Sequence, residues 1–108
     1  MSFFITTPIY YVNDVPHIGH AYTTIACDIF ARFNKLKNED TFFLTGTDEH
    51  GQKVEKAALT QNKDTQLFVD EMSNNFRELV PYLGCDNDDF IRTTDNKHKS
   101  AAQFLWNK

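Results

Sequence analysis

The chain has 108 residues, of which 41% are hydrophobic and 24% charged, a balance typical of one globular domain and not of a disordered chain. Its formal net charge is −4, so it lacks the basic surface that is typical of a nucleic-acid-binding module. No apolar run reaches the length of about 18 residues that predicts a membrane span, and no basic N-terminal segment indicates a signal peptide, so we expect no membrane partner.

Strand and helix patterns alternate along the first half of the chain. β-Branched and aromatic residues at positions 3–7 predict a strand, and a loop follows from Pro8 to Pro16. A helix is predicted over about 17–36, because apolar residues recur there at steps of three and four. These residues are Ile18, Tyr22, Ile25, Ile29, Phe33 and Leu36. The pattern predicts one apolar stripe along the helix, and we expect that stripe to be buried.

The second half of the chain continues the alternation. Residues 41–45 predict a buried strand, and residues 52–60 predict a helix from a weak pattern. A stronger pattern predicts a helix that begins at Thr65, and Pro81 is expected to end or kink it near Val80. Residues 90–93 predict a third strand, and a last helix begins near Asp95. Strands that alternate with helices predict an α/β fold with right-handed crossovers on a parallel sheet, either doubly wound or half of such a fold.

The first chemical signal is the sequence H-I-G-H at positions 17–20, between the first strand with its loop and the first helix. His17 and His20 are three residues apart, so both project from one side of the first turn. That turn also presents unpaired backbone N–H groups and the positive end of the helix dipole, which favour an anion. Gly19 leaves the backbone bare between the two imidazoles. The combination predicts a nucleotide site; a coincidental match and a zinc-binding histidine pair are the alternatives.

The second signal is the sequence T-G-T-D-E-H-G at positions 45–51, which follows the second strand. Carboxyl ends of parallel strands meet at one edge of the sheet, so these residues are expected beside the first motif. A carboxylate there would hold a cationic substrate group through a charge-assisted hydrogen bond. The alternative is that Asp48 or Glu49 only caps the following helix.

Metal ligands are not evident in the sequence. Cys27 and Cys85 form no C-x-x-C motif, and we expect both to be free thiols of a cytoplasmic protein. Asp86, Asp88 and Asp89 lack the spacing and the closing glutamate of a calcium loop. No metal site is therefore predicted in this segment.

Four segments together resemble a known family. Residues 8–13 (P-I-Y-Y-V-N) and 16–24 (P-H-I-G-H-A-Y-T-T) resemble the first signature of the class I aminoacyl-tRNA synthetases. Residues 43–51 (F-L-T-G-T-D-E-H-G) and 89–94 (D-F-I-R-T-T) resemble the methionyl enzymes in particular. The resemblance extends from Phe3 to Lys99. It implies the N-terminal half of a Rossmann-like (HUP-type) parallel-sheet catalytic domain.

The resemblance also implies an activity and its residues. The family joins methionine to ATP, accompanied by Mg²⁺, to form methionyl-adenylate, and then transfers the methionyl group to the methionine tRNA. By resemblance the ATP-binding residues are His17, Gly19 and His20, and the two histidines stabilise charge that develops at the α-phosphate. Gly19 would let the adenine approach. By resemblance the methionine-binding residues are Ile9, Tyr11 and Asp48, with Asp48 on the ammonium group.

Several segments that proteins of this family contain have no counterpart among these residues. The K-M-S-K-S loop, the zinc-bearing insertion and the anticodon-binding domain are absent from residues 1–108. We therefore expect an N-terminal portion of the catalytic domain that binds no zinc, leaves most tRNA contacts to other parts and is inactive alone. The alternatives are another class I synthetase, a small nucleotidyltransferase, or a truncated fragment that binds nucleotide without catalysis.

Overall fold

A computed structural model describes all residues from 1 to 108. It contains four strands and four helices: β1 (Ser2–Thr6), β2 (Tyr10–Tyr11), α1 (Ile18–Leu36), β3 (Asp40–Asp48), α2 (Gln52–Thr60), α3 (Thr65–Tyr82), β4 (Asp89–Arg92) and α4 (Asn96–Trp106). The predicted alternation of strands and helices is confirmed. None of the helices combines the length and the apolar character that a membrane crossing requires.

All strand pairs are parallel, as predicted, and β3 is the central strand. β1 pairs with the first part of β3, and β2 pairs with its last two residues. Leu44 pairs with both β1 and β4, and Thr47 pairs with both β2 and β4. β4 therefore lies on the opposite side of β3 from the two N-terminal strands. One edge of β1 has no strand partner.

Two details of the sheet differ from the sequence prediction. The short strand β2 interrupts the predicted loop between Pro8 and Pro16. β3 extends through Asp48, past the predicted end at residue 45, and includes Gly46. A Cβ atom at Gly46 would lie 2.0 Å from the carbonyl oxygen of Ile91, so β4 can approach β3 only because this residue has no side chain. Glycine here permits close pairing and does not end the strand.

The main hydrophobic core lies between the sheet and helices α2 and α3. Its nine buried residues are Tyr10, Val12, Val54, Ala58, Phe68, Val69, Met72, Phe76 and Phe90. A smaller cluster under α1 contains Cys27, Ala31 and Phe43. α3 continues to Tyr82, so Pro81 lies inside its last turn and the helix does not end near Val80 as expected.

The expected burial of the α1 stripe was wrong. Five of its six residues are more than half exposed and Ile25 is 38% exposed, with Ile18 at 88% and Leu36 at 83%. The helix buries its opposite side instead, where Asp28 accepts a hydrogen bond from the backbone N–H of Asp86 at 2.8 Å. Small and polar residues on that side fit closely against the sheet and the loop before β4. Helical spacing identified an apolar face correctly, but it does not specify which surface covers that face.

Candidate nucleotide and amino-acid site

The two histidines of H-I-G-H cap the start of α1 reciprocally. His17 is the N-cap residue, and its Nδ1 accepts a hydrogen bond from the backbone N–H of Gly19 at 3.0 Å. Nδ1 of His20 accepts from the backbone N–H of His17, also at 3.0 Å. This arrangement is a capping box built from two imidazoles. Because each Nδ1 accepts a hydrogen bond, the neutral form of each ring carries its proton on Nε2, and both Nε2–H groups are available as donors.

The two imidazoles lie against each other at the helix start. Their ring centres are 3.8 Å apart and the ring planes differ by 29°. A Cβ atom at Gly19 would lie 2.8 Å from Cε1 of His17, so the missing side chain makes room for this ring. The pair, together with the first-turn N–H groups, forms a compact cluster of hydrogen-bond donors.

His20 is held by aromatic neighbours. The ring centres of Tyr10 and Phe76 lie 4.8 Å and 4.9 Å from the centre of its imidazole, both in edge contacts. The Tyr10 hydroxyl donates to the carbonyl oxygen of His20 at 3.3 Å and also bonds to Thr24 at 3.0 Å. Burial lowers the pKa of His20, and the neighbouring His17 lowers this pKa further. His20 is therefore neutral at pH 7, as its capping role requires.

Tyr11 and Asp48 are brought together by strand pairing. Tyr11 of β2 is in register with Asp48 of β3, so the two side chains emerge on the same side of the sheet. Tyr11 is 45% exposed and Asp48 is partly exposed. The Tyr11 hydroxyl lies over Gly51, where a Cβ atom would be 3.2 Å away. Ile9 is half-exposed two residues before Tyr11 in the chain. The structure thus places an aromatic ring beside a carboxylate at the end of the sheet.

The two parts of the site are linked through β2. Tyr10, which contacts His20, is in register with Thr47, and the next pair along the strands is Tyr11 with Asp48. The helix start and the end of β3 are therefore both in contact with one two-residue strand. This is the carboxyl edge of the sheet, where open α/β folds bind their ligands.

Neither Asp48 nor Glu49 caps α2. The N-cap residue of that helix is Gly51, which makes no side-chain capping bond. Glu49 is instead buried in an ion pair with Arg92 of β4. Sequence patterns did not predict this partner of Glu49. The one signal for it was an arginine in the last predicted strand, near the sheet edge where the site residues were expected.

No group of three or more His, Cys, Asp or Glu side chains lies close enough to hold a metal ion. Two acidic residues at the start of β4 have other partners. Asp88 accepts a hydrogen bond from the backbone N–H of Phe43 at 2.7 Å, and Asp89 pairs with Lys97 at 2.8 Å. Cys27 and Cys85 are free cysteines.

The sequence profile of the family described as tRNA synthetases class I (M) matches residues 3–108. This chain belongs to that family. A relative from Rickettsia prowazekii, a methionine–tRNA ligase, is 61% identical over 107 residues, which are 99% of this chain and 21% of the relative. The methionine–tRNA ligase of Thermotoga maritima is 57% identical over 103 residues, which are 95% of this chain and 16% of the relative.

Solved structures of family members have the same fold. The methionyl-tRNA synthetase of Mycobacterium tuberculosis, crystallised with methionyl-adenylate bound, superposes with a TM-score of 0.97 at 44% identity. The superposition covers 99% of this chain and 21% of that structure's chain. A second structure of the same enzyme in complex with methionyl-adenylate gives a TM-score of 0.95. The chain thus spans about a fifth of the length of the relatives that it matches.

Proposed function

We propose that the full-length protein activates methionine and charges the methionine tRNA. In the first step a carboxylate oxygen of methionine attacks the α-phosphorus of ATP. The bond from that phosphorus to the bridging oxygen of the β-phosphate breaks, and methionyl-adenylate and pyrophosphate form. In the second step the methionyl group passes to the 3′ end of the tRNA, and AMP leaves. The observation that carries this proposal is the near-identical fold of an enzyme that is bound to methionyl-adenylate.

His17 and His20 are proposed to bind ATP at its α-phosphate. Their reciprocal capping leaves Nε2–H of each ring free to donate, and the aromatic contacts of His20 restrict that ring. Negative charge increases on the α-phosphate oxygens as the carboxylate attacks, so fixed donors stabilise the transition state more than the ground state. Both rings act electrostatically, and no covalent bond to the enzyme is needed. Gly19 is proposed to leave space for the adenine as well as for His17.

Ile9, Tyr11 and Asp48 are proposed to bind methionine. The Asp48 carboxylate would accept a charge-assisted hydrogen bond from the substrate ammonium. Ile9 and Tyr11 are half-exposed and apolar enough to cover the thioether side chain. The register between Tyr11 and Asp48 supports this assignment, because it puts an apolar wall next to the carboxylate at the end of β3.

The nucleotide and tRNA partners extend beyond these residues. Mg²⁺ is proposed to be bound with ATP, because phosphate oxygens are the hard ligands that this ion prefers. Zinc and most tRNA contacts are assigned to other parts of the full-length protein. The net charge of −4 supports this, since a tRNA-binding surface is basic. Two free thiols support a cytoplasmic location.

Residues 1–108 are proposed to be the N-terminal portion of a larger catalytic domain. The relatives are about five times longer than the segment they share with this chain. The exposed apolar stripe of α1 and the unpaired edge of β1 are surfaces that a folded domain normally covers. We propose that later parts of the full-length protein, including its K-M-S-K-S loop, cover them and complete the ATP site.

Pyrophosphate exchange tests the activity. The full-length protein is incubated with ATP, labelled pyrophosphate and one amino acid at a time, and label in ATP is counted. Exchange with methionine and none with leucine, isoleucine or valine is expected. Exchange that does not need an amino acid, or that is equally fast with another one, would refute the proposal.

A further inference from the structure

A buried carboxylate follows directly after Asp48. The Glu49 side chain is fully buried, and four donor groups reach its two oxygens. Arg92 donates from Nε at 2.8 Å and from Nη2 at 2.6 Å, Thr47 donates at 2.8 Å, and Thr94 donates at 3.1 Å. The carboxylate is therefore fixed from several directions, directly after the end of β3.

Arg92 connects three elements through one guanidinium group. Besides the two bonds to Glu49, its Nη2 donates to Asp70 of α3 at 2.5 Å. Hydrogen bonds from Arg92 to Glu49 and Asp70 raise the pKa of Arg92, and Arg92 lowers the pKa of Asp70, so Arg92 and Asp70 form a charged pair at physiological pH. The ends of β3 and β4 are thus joined to the first half of α3.

Asp48 lies between two side chains that this cluster holds. Thr47, on one side, bonds to Glu49 and to Ser73 of α3 at 2.9 Å. On the other side, the backbone N–H of Glu49 donates to the Thr93 hydroxyl at 2.8 Å. Side chains alternate along a strand, so buried Thr47 and Glu49 direct the side chain of Asp48 to the opposite face, beside Tyr11.

We propose that Arg92, acting through Glu49, is a positioning residue that fixes the Asp48 carboxylate where the substrate ammonium binds. The inference rests on the proposed function, which assigns Asp48 to the ammonium. A charge-assisted bond loses strength when its acceptor moves, and a shift of about 1 Å in a binding site lowers efficiency severely. Arg92 has no assigned contact with either substrate, so its effect depends on Asp48.

The first test compares Arg92→Lys with a control in the full-length protein. Lysine keeps the charge but lacks the planar fork that donates to both oxygens of Glu49. We expect the KM for methionine to rise about tenfold while the KM for ATP changes less than about twofold. The control is Lys97→Met, which removes the exposed ion pair between Lys97 of α4 and Asp89. Asp89 lies on β4, as Arg92 does, but this change should alter neither KM. Equal increases in both KM values would overturn the proposal, because they would indicate general loosening of the domain.

A double variant distinguishes positioning from other roles. If Arg92 acts through Asp48, then Asp48→Ala/Arg92→Lys should have the same methionine KM as Asp48→Ala alone. A further independent increase in the double variant would overturn the proposal. Should Asp48→Ala itself leave the methionine KM unchanged, the proposed substrate contact fails. If Asp48→Ala raises this KM and Arg92→Lys does not, only the positioning role fails.

A milder variant keeps the test valid if Arg92→Lys does not fold. Thr94→Val removes one donor to Glu49 and leaves both bonds from Arg92 in place. We expect a methionine KM about threefold higher, with circular dichroism and the ATP KM unchanged. An unchanged methionine KM in a folded Thr94→Val protein would count against the positioning role.

Discussion

The imidazole of His20 packs edge-on against the ring of Tyr10, with 4.8 Å between the ring centres. Tyr10 is also in register with Thr47, one residue before Asp48. Tyr10 therefore contacts the histidine that is proposed to bind phosphate. It also pairs with the residue directly before Asp48, the carboxylate that is proposed to bind the ammonium group. The two halves of the substrate site depend on the same short strand.

The double role of His17, as helix cap and as phosphate donor, can be separated by mutation. His17→Asn keeps a side-chain acceptor for the N–H of Gly19 but loses the Nε2–H donor. We expect a stability close to wild type and a rate of adenylate formation lower by about 10²-fold, by analogy with loss of one oxyanion-hole donor. His17→Ala should lose the same rate and, in addition, about 1 kcal/mol of unfolding free energy. Single-turnover adenylation and urea unfolding measure the two effects. An adenylation rate close to wild type in His17→Asn would contradict the catalytic role.

Gly19→Ala should reduce activity through His17. The new Cβ atom would lie 2.8 Å from Cε1 of His17, so the imidazole must move while the backbone stays in place. Because a side chain moves more easily than backbone, we expect a small change in melting temperature. The adenylation rate should fall towards that of His17→Asn. A wild-type rate together with a shifted His17 NMR signal would show that the stacked pair is not needed.

The low pKa of His20 predicts a pH-dependent stability. Burial, and then His17, lower its pKa in the folded protein below the ordinary 6.5. Between the folded and unfolded pKa values the unfolded chain binds more protons, so stability rises with pH. The contribution of His20 to the free energy of unfolding is complete above about pH 6.5 and is lost as the pH falls through the folded-state pKa. Protonation of Nδ1 there also removes the acceptor for the backbone N–H of His17. NMR titration should give His20 a pKa below 6.5, and the pH dependence of urea unfolding should weaken in His20→Gln. A His20 pKa at or above 6.5 would refute this account.

The apolar stripe of α1 predicts how the 108-residue chain behaves when it is produced alone. Ile29 and Phe33 are 60% and 59% exposed, so the isolated chain should self-associate in sedimentation experiments. Phe33→Glu should reduce this association, whereas Leu59→Glu on α2, at a site 75% exposed, should not. We also expect no detectable methionyl-adenylate from this chain. Robust pyrophosphate exchange by a monodisperse monomer would favour a nucleotidyltransferase that is complete within one chain.

Much of the fold follows from local patterns. The periodicity of residues 52–60 and the series from Thr65 correctly predicted α2 and α3, and apolar runs predicted β1, part of β3 and β4. These features depend on residues that are neighbours in the sequence. Which side of α1 is buried cannot be predicted in this way, because it depends on the distant segments that pack against the helix. Its buried side carries Asp28, whose partner Asp86 is 58 residues away.

The site was predictable to a similar extent. The spacing of His17 and His20 placed both rings on one turn, which the structure shows. Their reciprocal capping was not foreseen, since histidine is an uncommon capping residue. The pair Glu49–Arg92 was also missed, because an ion pair across 43 positions leaves no trace in local spacing. Glu49 was treated as a possible helix cap, whereas it binds the neighbouring strand.

The steady-state constants of Asp48→Ala in the full-length protein test whether this carboxylate binds the ammonium group of methionine. Methionine-dependent pyrophosphate exchange is measured over a range of methionine and of ATP concentrations, with Lys97→Met as the control. We predict a methionine KM at least about tenfold higher, because the ammonium loses its charged acceptor, and an ATP KM within about twofold of wild type. An unchanged methionine KM, or an equal rise in both constants, would show that Asp48 does not bind the substrate ammonium.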